Sequence, residues 1–322
     1  MDWKRLKARL LAEGGVRLAG EPADRYIVHS AAGPSAGEAG SLFFAAGNRR
    51  VRLGIDPESE IELRHEGGGK ATLSLLGERV AGRLESAALH CPRQAYITVT
   101  GQCIFSCRYC PVPFLQGRRK SIDEIVRLVE GVRDRIDAIA ITSGVAESIE
   151  EEEEYVLDVI KELRRFGLPI GVSIYPTPET PRRLRDLGVA EVKFNVEAAT
   201  PALFAEMCPG LDYDLIREVL VRSVEAFGRG RVFSNVIIGL GETDEEMEAC
   251  INELVEIGVI PVLRPLTPAA SLSGRSRPSA ERLENLCSIH ERALRRAGLD
   301  LRSALTMCAA CTGCDLVPGR DT

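Results

Sequence analysis

No run of about 18 apolar residues occurs anywhere in this 322-residue chain, so no membrane-spanning helix is expected. The opening segment, "MDWKRLKARLLAEGG", lacks the apolar stretch of a secretory leader and reads as a charged amphipathic helix. A cytoplasmic location is therefore the expectation. There is no excess of basic residues: 41 Lys and Arg face 47 Asp and Glu, a net charge of −6, which speaks against a nucleic-acid-coating surface. Neither an internal repeat nor a low-complexity linker is present. What remains is a composition 45% hydrophobic and 27% charged, enough apolar material for a sizeable soluble core. The length suits a barrel of roughly 200–250 residues plus a further module.

The pattern changes near residue 90. Before it lie short β-like runs, "SLFFAAG", "RRVRLGI", "SEIELRH" and "KATLSLL", separated by glycine-rich turns. With the first helix they predict a small α+β module over residues 1–90. After it, strands alternate with longer helices, the mark of parallel βαβ units. Six strands are predicted: 94–100, 137–142, 169–175, 189–197, 232–239 and 259–265. The fold class is thus α/β, with residues 91–322 forming a partial (β/α)6 TIM-like barrel whose site lies in the loops at the strand C-termini. Ser121 with Glu124 and Thr243 with Glu246 read as capping boxes. The acidic run Glu150–Glu154 reads as a solvated helix start.

Ten cysteines are present, and six fall in two tight groups. In a cytosolic setting such groups are metal ligands or reactive thiols rather than disulfides. Cys208, Cys250 and Cys287 read as buried apolar residues. Cys103, Cys107 and Cys110, in "CIFSCRYC", follow the first barrel strand directly, which places them at its mouth. Three thiols without an evident fourth suit an iron–sulfur cluster with one open iron better than structural zinc, which takes four protein ligands. Cys308, Cys311 and Cys314, in "CAACTGC", follow a strand-like "LDLRSALTM" whose end would also point to the mouth. They read as an auxiliary iron–sulfur site, with zinc or redox thiols as alternatives. Its fourth ligand is open between Cys91, a serine and substrate; the first strand would hold Cys91 about 20 Å from the mouth.

"CIFSCRYC", with the aromatic Tyr109 before the last cysteine, resembles the signature of radical S-adenosylmethionine (SAM) enzymes. The resemblance implies a [4Fe–4S] cluster on Cys103, Cys107 and Cys110, with SAM chelated by the free iron and Tyr109 near the adenine. Where the family has a Gly-Gly-Glu-like turn for the SAM amino group, this chain has Ser143-Gly144-Val145 and no acid. Period-two alternation puts Lys193, Asn195 and Glu197 on one strand face. That row resembles the Asn-x-Asp/Glu pair with which biotin and lipoyl synthases reach the SAM ribose. "FSNVIIGLGETDEE" is similar to a segment of the same enzymes and implies Ile237, Gly239 and Glu242 near the adenine, with Asn235 where glycine is usual.

The chain resembles the biotin-synthase-related group, which includes the archaeal two-protein lipoyl synthase systems. That implies two [4Fe–4S] clusters, SAM, a low-potential electron donor, and a lipoyl carrier domain or another small molecule as substrate. It also implies a second radical SAM subunit. Sulfur insertion into an unactivated carbon of an octanoyl chain is the implied reaction. Alternatives are a radical reaction in which the auxiliary cluster anchors substrate or relays electrons, and a non-catalytic iron–sulfur carrier. No membrane or nucleic-acid partner is expected.

Overall fold

The computed structural model describes residues 2–30 and 39–322, and counts of elements refer to these. Helix α1 (Trp3–Glu13) leads into β1 (Gly15–Gly20), β2 (Ser41–Ala46), β3 (Arg49–Ile55), β4 (Glu62–His65), β5 (Lys70–Leu75) and β6 (Glu78–Glu85). These six close into a small barrel in the order β1-β3-β2-β6-β5-β4, with β4 pairing back to β1. Closure leaves no unpaired sheet edge. Alternate residues, Leu63 on β4 and Ala71, Leu73 and Leu75 on β5, fill its core. The four runs read from the sequence are β2 to β5. Strands β1 and β6 escape a hydrophobic reading because few of their side chains are buried: "ERVAGRLE" is half charged, with one buried residue.

The second body is a six-stranded parallel sheet in strict chain order: β7 (Gln94–Thr98), β8 (Ala138–Thr142), β9 (Ile170–Ser173), β10 (Glu191–Lys193), β11 (Val232–Ile238) and β12 (Ile260–Pro265). Helices α2 (Ile122–Glu130), α3 (Ile149–Leu163), α4 (Thr180–Asp186), α5 (Pro201–Met207), α6 (Tyr213–Phe227), α7 (Asp244–Ile257) and α8 (Ala280–Ala297) connect the strands and follow the last. Their apolar stripes, such as Val156, Val159, Ile160 and Leu163 of α3, pack on a continuous core with the outer faces of the strands. Edges β7 and β12 are not paired, so this is the expected partial (β/α)6 barrel. Strand β10 is shorter than its sequence suggests. Regular pairing ends at Lys193, and Glu197, at φ +54°, keeps only an isolated bridge to Val236.

Three local expectations change. Thr243 and Glu246 form a complete capping box, but at Ser121 only half forms, because the Glu124 carboxylate turns to Arg118 instead. The acidic run is not all solvated: Glu152 and Glu153 are buried, paired with Arg119 and Arg183 respectively. "LDLRSALTM" makes no strand. It forms a single turn (Leu301–Ser303) and the start of α9 (Met307–Cys311), because its backbone bonds to side chains rather than to a neighbouring strand. The Glu191 carboxylate accepts from the N–H of Leu305 and of Thr306, and Gln94 exchanges two hydrogen bonds with the Met307 backbone. Glu191 and Gln94 open their strands, so this segment crosses the floor of the barrel, not its mouth.

Candidate active site

The 103–110 loop leaves the C-terminal end of β7, and backbone bonds stitch it to the turn after β8. Ile104 N–H donates to Val145 O (2.8 Å) and Gly144 N–H to Thr100 O (2.9 Å). Gly144 is required here by space. A Cβ on it would lie 2.1 Å from the Gln102 carbonyl oxygen and 3.3 Å from the Cys103 Cβ. The Ser143-Gly144-Val145 turn therefore lies directly under the cysteine loop. The Ser143 hydroxyl donates to Glu152 at 2.6 Å and accepts from Thr100 N–H at 3.0 Å, which fixes the turn on α3. Glu152 belongs to α3, and nothing in the local sequence of the turn could reveal it.

Cys103, Cys107 and Cys110 are all partly exposed in this loop. Cys107 and Tyr109 pack on a small apolar cluster that includes Cys208, Met207 and Ile237. The Tyr109 hydroxyl lies 3.7 Å from Cys208 Sγ and is close enough to Glu197 to lower its pKa. Cys208 is buried as expected, but it also packs beside Cys107, a contact that sequence spacing does not betray. Burial raises the Glu197 pKa, while Lys193, Asn195 and Tyr109 pull it back. Asn195 accepts from Asn235 N–H at 3.1 Å, which fixes its amide, and the Asn235 side-chain oxygen is buried without a partner.

The polar row of the fourth barrel strand lines the lumen but divides along its length. Glu197 faces the cysteine loop. Lys193, 4% exposed, points to the floor, its Nζ 3.9 Å from Cys308 Sγ. In the "GLGET" turn, Ile237 and Gly239 lie beside the same apolar cluster, but Glu242 does not face it. Its carboxylate accepts from the N–H groups of Gly239, Leu240 and Gly241 and pairs with Arg282. That turn holds itself, and Glu242 has no free oxygen for a ligand.

The second cysteine group lies at the floor. Cys311, 6% exposed, forms a separate apolar cluster with Cys91 and Phe43 of β2, joined by Tyr96 of β7. The Cys91 thiol, then the Gly313 N–H, Arg50 and Arg52 bring the Cys311 thiol down to about 7. Arg264 of β12 pairs with Asp315 at 3.1 Å; burial opposes its charge, yet Asp315, Cys308 and Cys314 hold its pKa well up. Burial, Arg52, Arg264 and Lys193 push His90 down to about 3, and its ring nitrogen sits 2.9 Å from Arg52.

Three partly exposed thiols on one loop, Cys103, Cys107 and Cys110, have the donor chemistry of an iron–sulfur cluster. Among the described residues no three His, Cys, Asp or Glu gather closely enough to hold one metal ion. A tetrahedral ion with sulfur at about 2.3 Å would need all its sulfurs within about 3.8 Å of each other. A cluster distributes its thiolates over separate irons, and a short cysteine-rich loop accommodates that wider spacing.

Residues 97–254 match the family model described as Radical SAM superfamily. The lipoyl synthase of Corynebacterium jeikeium (strain K411) is 26% identical over 216 residues, covering 59% of this chain and 61% of that protein. The lipoyl synthase of Shewanella sp. (strain MR-7) is 25% identical over 162 residues, 48% of this chain and 50% of that one. The chain thus spans between half and about three-fifths of the length of these relatives. Among solved structures, the [FeFe]-hydrogenase maturase HydG overlays with a TM-score of 0.55 at 23% identity, covering 63% of this chain and 49% of its own. Methylornithine synthase (PylB) overlays with a TM-score of 0.52 at 15% identity, covering 63% and 61%. These overlays are likenesses of fold. No helix among the described residues is long and apolar enough to cross a membrane.

Proposed function

The chain belongs to the radical SAM superfamily through residues 97–254, and from that premise we propose a lipoyl-synthase-like sulfur insertion. The substrate is an octanoyl chain amide-linked to a lysine of a lipoyl carrier domain. The carrying observation is the lumen itself: one cysteine group at its mouth, another at its floor, and a lining of Glu197, Asn195, Lys193 and Arg264 between them. A substrate in that lumen meets the radical source from one side and the sulfur source from the other. The curated relatives, named lipoyl synthases, support the same reaction class.

Cys103, Cys107 and Cys110 would hold the first [4Fe–4S] cluster. Loaded with that cluster and with SAM, and given an electron from a low-potential donor, the site would supply a 5′-deoxyadenosyl radical. Glu197, with Asn195 beside it, would accept from the ribose hydroxyls, and Tyr109 would pack against the adenine with Ile237 and Gly239 nearby. Ser143 and Gly144 would offer backbone carbonyls to the SAM amino group. Cys308, Cys311 and Cys314 would hold the second [4Fe–4S] cluster, with Lys193 over the Cys308 sulfur. Exposed Ile104, Phe114 and Leu115 around the mouth favour a protein-borne substrate that docks there. A cytoplasmic enzyme, working with a second radical SAM subunit, completes the reading.

Burial of Cys311 favours a second use of the floor site, as an electron relay. Single-turnover assays with an octanoylated carrier peptide decide between them. The second cluster is built with labelled sulfide and the product weighed. Label in the first-turnover product supports sulfur insertion, and unlabelled thiolated product assigns the floor site to relay or anchoring. Product without sulfur points to another radical reaction, and failure to cleave SAM at all leaves an iron–sulfur carrier.

A further inference from the structure

We propose that Cys91 is the fourth thiolate of the floor site, and that the small N-terminal barrel is that site's wall and charge balance. The assignment rests on the reading of Cys308, Cys311 and Cys314 as an iron–sulfur site.

Geometry carries it first. Cys91 stands just before β7, is 1% exposed, and packs in one buried cluster with Cys311 and Phe43. Cys308 and Cys314 flank Cys311 in the same short loop, which Thr312 N–H closes on the Cys308 carbonyl at 2.8 Å. A position before β7 sets Cys91 far from the mouth, but the 303–314 segment brings its three cysteines to the same end of the barrel. Four thiols from two distant stretches of chain therefore converge. The wall is equally specific. Arg52 N–H donates to Gly313 O at 2.8 Å and the Arg50 guanidinium to Cys311 O at 3.3 Å. A Cβ on Gly313 would lie 2.6 Å from the Phe43 ring, so the small barrel closes on the cysteine loop with no space to spare.

Charge carries it further. Arg50, Arg52, Lys193 and Arg264 surround the four sulfurs. Arg50 has Glu85 and Arg264 has Asp315. Arg52 and Lys193, 1% and 4% exposed, have no carboxylate within 4 Å among the described residues, and Arg52 Nη2 and Arg264 Nε are buried without any partner. A buried cation without a counter-charge is strongly destabilising. Neutral thiols cannot offset that cost. Four thiolates around a cluster leave net negative charge at the point where these cations meet.

The test uses anaerobically reconstituted full-length protein. With Cys103, Cys107 and Cys110 changed to Ala, only the floor site loads, and about four irons should remain. Adding Cys91→Ala should remove most of that iron or leave a three-iron species with a new electron paramagnetic resonance signal. Cys91→Ser should keep more iron with a shifted signal, and Cys287→Ala should change nothing. In the otherwise native chain, Cys91→Ala should lower iron while SAM binding persists, which shows that the protein still folds. Unchanged iron and an unchanged spectrum on adding Cys91→Ala would overturn the assignment of Cys91 alone. A triple variant with no iron would instead overturn the floor site, and Cys91 with it.

Discussion

Lys7 and Asp321, separated by almost the whole chain, form an ion pair 2.7 Å long with neither side chain more than 1% exposed. Trp3 Nε1 donates to the other oxygen of Asp321, and Lys7 also donates to the Thr312 carbonyl, inside the second cysteine group. The first helix thereby holds the last loop in place.

That link has a measurable consequence. Removing one partner of a buried pair leaves an uncompensated charge, at a cost of about 3–5 kcal/mol. Lys7→Met should lower the thermal midpoint accordingly. In reconstituted protein it should deplete iron from the floor site while the mouth site stays loaded. Equal depletion of both would show that α1 acts on the whole fold instead.

Gly144→Ala separates the sites in the other direction. The added Cβ meets backbone, which cannot rotate away, so the 103–110 loop must shift. Iron at the mouth should fall and SAM affinity with it, while floor-site iron is retained. Unaltered SAM affinity would mean that the loop does not rest on this turn.

Much of this arrangement was legible in the sequence. All six barrel strands, the mouth position of Cys103, Cys107 and Cys110, and the lumen face of Lys193, Asn195 and Glu197 follow from periodicity and chain order. The floor position of Cys308, Cys311 and Cys314 does not. It depends on Gln94 and Glu191 capturing the 305–307 backbone, contacts between residues more than 110 positions apart with no local signature. A run such as "LDLRSALTM" satisfies a strand pattern until a buried carboxylate competes for its N–H groups. Glu152 behind Ser143 was hidden for the same reason, because its surroundings in sequence are those of a solvated helix start.

Glu197→Gln should leave both sites loaded and weaken SAM binding. Hydrogen bonds to a charged group contribute about 1.5–3 kcal/mol, or about 10- to 150-fold in Kd. Equilibrium binding under anaerobic conditions measures it. Unchanged affinity would show that Glu197 serves only Tyr109.

His290 gives a pH dependence. It is buried in α8, neither ring nitrogen has a partner, and burial pushes it down to about 3. The unfolded chain, with an ordinary value near 6.5, takes up a proton that the folded chain refuses. Stability is therefore full above about pH 6.5 and is lost as pH falls toward 3. Between pH 7 and 5 the loss from this group is about 2 kcal/mol. Denaturant unfolding of His290→Leu should show a pH slope shallower by that amount. Parallel slopes would mean that His290 gains a proton without penalty.

The last prediction asks whether the two ends of the lumen work separately. Every contact assigned to SAM, from the 103–110 loop to Asn195 and Glu197, comes from the mouth half of the barrel. Cys308 meets the lumen at Lys193 and Cys311 packs with Tyr96, both toward the floor. Changing those three cysteines to Ala removes no mouth contact. SAM should bind with near-native affinity and still be cleaved under reducing conditions. The carrier-bound octanoyl chain should leave the reaction without sulfur, because no sulfide source remains within reach. Mass spectrometry of the carrier peptide, alongside quantified 5′-deoxyadenosine, reads both halves at once. Loss of SAM cleavage in this variant would mean that electrons reach the mouth through the floor, and the relay reading would replace sulfur insertion.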